Sequence, residues 1–286
     1  MKYRFLRYPG GKFKAVTFSY DDGAKTDIKL LEIFNKHNMK CTLNICSNRL
    51  NHIDKHLTVN EINTYVLEKG HEIANHGENH IALGITDHVR GLQDVLNCRI
   101  ELEEKFCAII RGMAYPDTMK YIAARNYEQI KAMLESVGIV YSRAAGTDND
   151  SFELPSDFHL WMPSVHHQNE KVFDYIDAFN AIDDKKLYCA SRYPRLFYMW
   201  GHSREFEKNN NWDRLESICE KLGNNNNIWY ATNIEIFDYV KAYDSLAFSA
   251  TGSIVYNPTL IDVWFDIDGT IYCVKSGETV KIKQSK

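Results

Sequence analysis

Hydrophobic positions recur along this chain in two rhythms, and the rhythms take turns. Lys14-Ala-Val-Thr-Phe-Ser-Tyr20 is dense in β-branched and aromatic residues and reads as a buried strand ending at Asp21-Asp22-Gly23. Thr26 to Asn35 then repeats its apolar residues at helical spacing behind a Thr26 cap. Cys41 to Cys46 reads as a second strand, Asn60 to Lys69 as a helix stopped at Gly70, and His71 to Asn75 as a strand running into His76. A helix from Asp87 to Phe106 precedes a strand at Ala108 to Arg111. A helix from Tyr127 to Val137 precedes a strand at Val140-Tyr-Ser-Arg143. Alternating strands and helices predict parallel strands joined by helical crossovers, with function collecting at the strands' carboxyl ends. Asp21, His76, Arg111 and His202 each follow such a run.

The rhythm lapses between about Gly146 and Asn169, where aromatic residues, Pro and His cluster as in a site-lining loop. Two Asn-rich stretches between residues 207 and 227 read as solvated loops. Ile228-Trp-Tyr-Ala231 reads as a late strand and Asn233 to Ala247 as a helix. From residue 248 only short strands recur, at Ile254-Val-Tyr256, Asp262 to Asp266, Thr270 to Val274 and Thr279 to Ile282. The expected organisation is an α/β barrel over residues 1–247 with a β-rich extension over 248–286.

Composition narrows the function. A net charge of −4 argues against a surface held to nucleic acid by general positive charge. The seven cysteines are odd in number and include no Cys-x-x-Cys pair, which argues against a zinc ribbon or a disulfide framework. No apolar run approaches a membrane span, and the N-terminus is charged with no apolar signal segment. These features predict a cytoplasmic protein with reduced thiols.

The chemistry lies in Asp21-Asp22-Gly23 and in Gly70-His-Glu-Ile-Ala-Asn-His76-Gly-Glu-Asn-His80. One carboxylate and two imidazoles suit a divalent metal and leave positions open for water and substrate. The adjacent carboxylate is free to take a proton. Phe265-Asp-Ile-Asp-Gly-Thr270 looks like the opening of a dehalogenase-type phosphatase, but too little chain follows, so Asp268-Gly269 reads as a hairpin turn.

On these residues the chain resembles the NodB-type polysaccharide deacetylases, carbohydrate esterase family 4. The matches are Asp21-Asp22-Gly23, His76 and His80 after Gly70-His-Glu-Ile, Arg111 before Ala-Tyr115-Pro116, and His202 in Leu-Phe-Tyr-Met-Trp-Gly-His. The first and third motifs are each two residues longer than the family's compact forms. The resemblance implies an irregular (β/α) barrel of about seven parallel strands. It implies one divalent transition metal on Asp22, His76 and His80, zinc foremost, with cobalt, nickel, manganese or iron as alternatives. It implies Asp21 as general base, His202 as general acid, Arg111 paired with Asp21, and the Tyr115 backbone N–H at the oxyanion. Trp161, His166 and His167 are expected to line the substrate pocket with Tyr115. Glu205, three residues past His202, either faces the site or caps a helix. The expected partner is an acetylated sugar or oligosaccharide from which an N- or O-acetyl group is removed. Opening of a small cyclic amide and carbohydrate binding without turnover are the alternatives.

Overall fold

The computed structural model describes residues 3–52, 54–117 and 127–282. Strand β1 (Arg4–Arg7) opens the chain and joins a small sheet described below. The central sheet comprises β2 (Lys14–Asp21), β3 (Thr42–Ile45), β4 (Glu72–Asn75), β5 (Gly112–Ala114), β6 (Tyr141–Arg143), β7 (Val165–His166), β8 (Arg195–Gly201) and β9 (Ile228–Tyr230). All its pairings are parallel. Seven strands run in the order β6-β5-β4-β3-β2-β8-β7, and β9 pairs with the amino half of β2. The sheet curls into a half-barrel.

Parallel neighbours need crossovers, and helices supply most of them: α1 (Asp27–Lys36), α2 (Val59–Ile62), α3 (His88–Phe106), α4 (Tyr127–Ser136), α5 (Val172–Ala181), α6 (Arg204–Lys208) and α7 (Trp212–Leu222), while α8 (Asn233–Asp244) follows the last strand of the sheet. α1 buries Leu30, Leu31 and Phe34 against β2, where Phe34 stacks on Phe18 at 4.6 Å. Burying side chains of this size contributes roughly 1.5–3 kcal/mol each.

Side-chain alternation decides what reaches the interior. On β2, Val16, Phe18 and Tyr20 join the cluster that includes Leu30, Leu31 and Phe34 of α1. Ala15 lies in the interior cluster with Tyr141, Trp161 and Tyr198, and Thr17, Ser19 and Asp21 share its parity. The same parity carries Tyr141 to Arg143 on β6, Glu72 to His76 on β4, and Leu196 and Tyr198 to His202 on β8. Four chemically capable side chains therefore meet at the carboxyl end of the barrel.

The strand expected at Ala108 to Arg111 lies instead at Gly112–Ala114. A Cβ at Gly112 would sit 2.1 Å from the Tyr141 ring, so the sheet needs a glycine where the sequence reads as a break. Arg111 thus lies at the amino end of β5, away from the centre.

β10 (Ala247–Phe248), β11 (Ile254–Tyr256), β12 (Val263–Ile267), β13 (Thr270–Val274) and β14 (Thr279–Lys281) form two antiparallel sheets, β1-β12-β13 and β10-β11-β14. Asp268 (φ 49°) and Gly269 (φ 92°) form the tight turn between β12 and β13, the hairpin read from the sequence. The first strand of the chain is therefore bonded to its C-terminal extension.

Candidate metal and catalytic centre

Asp22 follows β2 with φ 80°, and His80 closes its loop with φ 57°. Both are left-handed non-glycine residues, a strain typically stored at functional positions. His76 Nε2 and His80 Nε2 each lie 3.9 Å from Asp22 Oδ1. His76 Nδ1 is 2.9 Å from the Ala114 carbonyl. A carbonyl only accepts, so Nδ1 carries the proton and Nε2 is left bare towards Asp22. Burial, partly offset by Asp21, pushes the His76 pKa down to about 4, so the imidazole is neutral as a ligand must be.

The donor set suits a divalent transition metal: one carboxylate oxygen and two imidazole nitrogens, all within 4.8 Å of one another. Arg49 and Arg204 also pair with Asp22, so a cation held there shares that carboxylate with two guanidiniums. The loop between the histidines is clamped from α3. Asp94 Oδ1 accepts from the Asn79 backbone N–H at 2.8 Å, and the Asp94 carbonyl accepts from the Glu78 N–H at 3.0 Å. Gly77 lies against the same carboxylate, where a Cβ would come within 2.3 Å of Asp94 Oδ2.

Asp21 is buried beside this set. Arg143 Nη2 donates to its Oδ2 at 2.5 Å, and Asn44 Nδ2 donates to its Oδ1 at 2.8 Å. Burial alone would raise the Asp21 pKa. Arg143 foremost, then His76 and His202, outweigh that and hold it below the usual carboxylate value. His202 Nε2 lies 3.9 Å from both Asp21 Oδ2 and Asp22 Oδ2, while its Nδ1 donates to Glu205 Oε1 at 3.1 Å. Burial disfavours the imidazolium, but Glu205 and then Asp21 raise the pKa of His202 above its ordinary value.

The centre thus gathers Asp21, Asp22, His76, His80 and His202 as expected, and departs from expectation at three residues. The arginine on Asp21 is Arg143. Arg111 makes a bidentate pair with Asp238 of α8 at 2.6 and 2.9 Å, because it precedes β5 rather than following it. The Tyr115 N–H donates to the Arg143 carbonyl at 3.0 Å, extending the β5–β6 ladder, and so is committed within the sheet. Trp161 is buried in the barrel core, its ring 5.1 Å from Tyr198 and 5.5 Å from Tyr141, with no face towards a sugar. His166 and His167 do adjoin the centre. Their Nε2 atoms lie 3.3 and 2.8 Å from Glu205 Oε2.

The curled parallel sheet is that of the NodB-type deacetylase fold. Residues 9–138 match the family model described as Polysaccharide deacetylase. The fold is similar to that of a Mycobacterium smegmatis protein assigned to the polysaccharide deacetylases. The two are 16% identical with TM-score 0.56, over 84% of this chain and 94% of that one. It is also similar to the Xyl-CE4 domain of a multidomain xylanase from the hindgut metagenome of Trinervitermes trinervoides, 16% identical with TM-score 0.52, over 80% and 92%. A variant of the peptidoglycan deacetylase PdaC from Bacillus subtilis is 16% identical with TM-score 0.50, over 81% and 94%. No curated protein matches the chain by sequence. At such identities the likeness concerns the fold alone.

Proposed function

We propose that the protein is a metal-dependent hydrolase that removes acetyl groups from a carbohydrate, with N-acetyl the preferred bond. One observation carries the proposal: an ionised, buried Asp21 stands between an Asp-His-His set and His202. A divalent metal on Asp22, His76 and His80, zinc foremost, supplies a Lewis acid for the acyl oxygen and makes water available as a nucleophile near neutral pH.

The remaining work falls to side chains. Asn44 and Arg143 fix the plane of the Asp21 carboxylate and keep it unprotonated, ready to accept the proton of the attacking water. His202 carries its proton on the side facing the aspartates and gives it to the departing amine. Glu205 holds the other ring nitrogen, fixing ring orientation and favouring the imidazolium. Trp200, its ring stacked under Arg143 at 4.4 Å and 4.7 Å from His166, walls the same side of the centre. The free thiols fit a reducing compartment, and we place the reaction in the cytoplasm.

The test is acetate release from a panel of N- and O-acetylated sugars, with cyclic ureides measured in parallel by ring opening. The metal-loaded wild type should release acetate. Asp21→Asn should bind metal as well as wild type and turn over about 10²–10⁴-fold more slowly. Retained turnover in that variant would sink the assignment of the base, and product from the ureides alone would move the activity to cyclic amides.

A further inference from the structure

Glu205 faces more imidazoles than one acid–base pair requires. Its Oε1 is 3.1 Å from His202 Nδ1, and its Oε2 is 3.3 Å from His166 Nε2 and 2.8 Å from His167 Nε2. His167 is fully buried, and its Nε2 pairs with the Glu205 carboxylate. The 3.3 Å between Glu205 Oε2 and His166 Nε2 matches the roughly 3.3 Å that tetrahedral zinc with bonds of about 2.0–2.1 Å sets between two of its ligand atoms. The ligand atoms of His166, His202 and Glu205 all lie within 4.8 Å of one another.

We infer that His166, His202 and Glu205 form a second, weaker binding site for a divalent transition metal, supported by His167, on the far side of the His202 ring from the Asp22 set. The two sets use opposite edges of one imidazole: Nε2 faces Asp21 and Asp22, and Nδ1 faces Glu205. The second site is the weaker because His166 Nδ1 accepts the Gln168 N–H at 3.2 Å. Freeing Nε2 for a metal moves the ring proton to Nδ1 and gives up that bond. A metal on Nδ1 of His202 replaces the proton that pairs with Glu205, so the ring no longer becomes an imidazolium. The site therefore inhibits turnover as metal concentration rises. That consequence rests on the function proposed above, whereas the binding itself does not.

The test uses full-length protein stripped of metal, dialysed against zinc ions at graded concentrations, and analysed for zinc per chain. Wild type should take up two equivalents, the second at a roughly tenfold or higher concentration of free zinc. His166→Ala and Glu205→Gln should each keep the first equivalent and lose the second. His76→Ala should lose the tight equivalent and keep the weak one, and His76→Ala with His166→Ala should bind none. Circular dichroism of each variant establishes that it is folded. Two equivalents persisting in both His166→Ala and Glu205→Gln overturn the inference. So does a single equivalent in wild type that vanishes with His76→Ala and is indifferent to His166→Ala. A single equivalent lost with His166→Ala but kept in His76→Ala would instead overturn the Asp22, His76 and His80 assignment and leave this site standing.

Discussion

A carboxylate and an imidazole cooperate in acid–base chemistry only when their surroundings push them towards opposite protonation states. Asp21 and His202 meet that condition. The Arg143 guanidinium keeps Asp21 ionised below the usual carboxylate range, and Glu205 and Asp21 keep His202 protonated above its ordinary value. On the proposed function, the acid limb of kcat/KM belongs to Asp21, since activity should be lost as pH falls and the base is protonated. The alkaline limb then belongs to His202, since activity should be lost as pH rises and the acid is deprotonated. Glu205→Gln removes a negative charge from His202, so its pKa falls. The alkaline limb should move to lower pH by about one to two units, while the acid limb stays in place. A pH series of kcat/KM on wild type and variant checks this, and an unmoved alkaline limb would show that Glu205 does not set the acid. The aspartate pair and the two histidines were legible because each lies in a short motif. Arg143 was not, because its partner is 122 residues away. Yet the same criterion that selected Asp21 and His202, a position just past a strand, also fits the Arg143 that ends Val140-Tyr-Ser-Arg.

Elements set the precision with which these residues are held. The loop from β4 to His80 has no regular structure of its own. It takes its shape from α3 through the Asp94 carboxylate on Asn79 and the Asn75 amide on the Val95 carbonyl. Asp94→Ala should leave the parallel sheet intact, since Asp94 bonds to the loop and not to the strands. It should weaken metal affinity at Asp22, His76 and His80 by about 10–100-fold, the usual cost of losing the contacts that orient a ligand. Zinc competition against a chromophoric chelator, with far-ultraviolet circular dichroism as the control, measures both. An affinity within twofold of wild type would show that the loop holds itself. Strand existence along the barrel could be read from apolar runs, but the register of β5 could not. Ala108-Ile-Ile looks like a strand, yet Ile109 is 77% exposed. The paired residues begin at Gly112, whose value lies in the side chain it lacks.

On the scale of the whole molecule, the two ends of the chain share a structure that neither end announces. β1, Arg4-Phe-Leu-Arg7, lies in the charged N-terminus, and nothing in it points to a partner about 260 residues away, yet Arg4 pairs with Ile267 and Arg7 with Trp264. Arg7 is fully buried between the barrel and the extension. It donates to the Leu6 and Arg192 carbonyls at 3.1 and 3.0 Å and lies 3.4 Å from Asp266 and 3.7 Å from Asp184. Burial pulls the pKa of this guanidinium down, and the carboxylates, Asp266 first, oppose that. A buried charge stripped of its partner costs far more than an exposed one. Asp266→Ala should therefore lower unfolding stability by about 3 kcal/mol. Asp184→Ala should cost under about 1 kcal/mol, because its carboxylate is one-third exposed and farther away. Urea denaturation of the two variants beside wild type gives both numbers. Equal losses would mean that Arg7 is neutralised by the pair jointly. A negligible loss for Asp266→Ala would mean that the seam is held by its strands alone, with the ion pair a passenger.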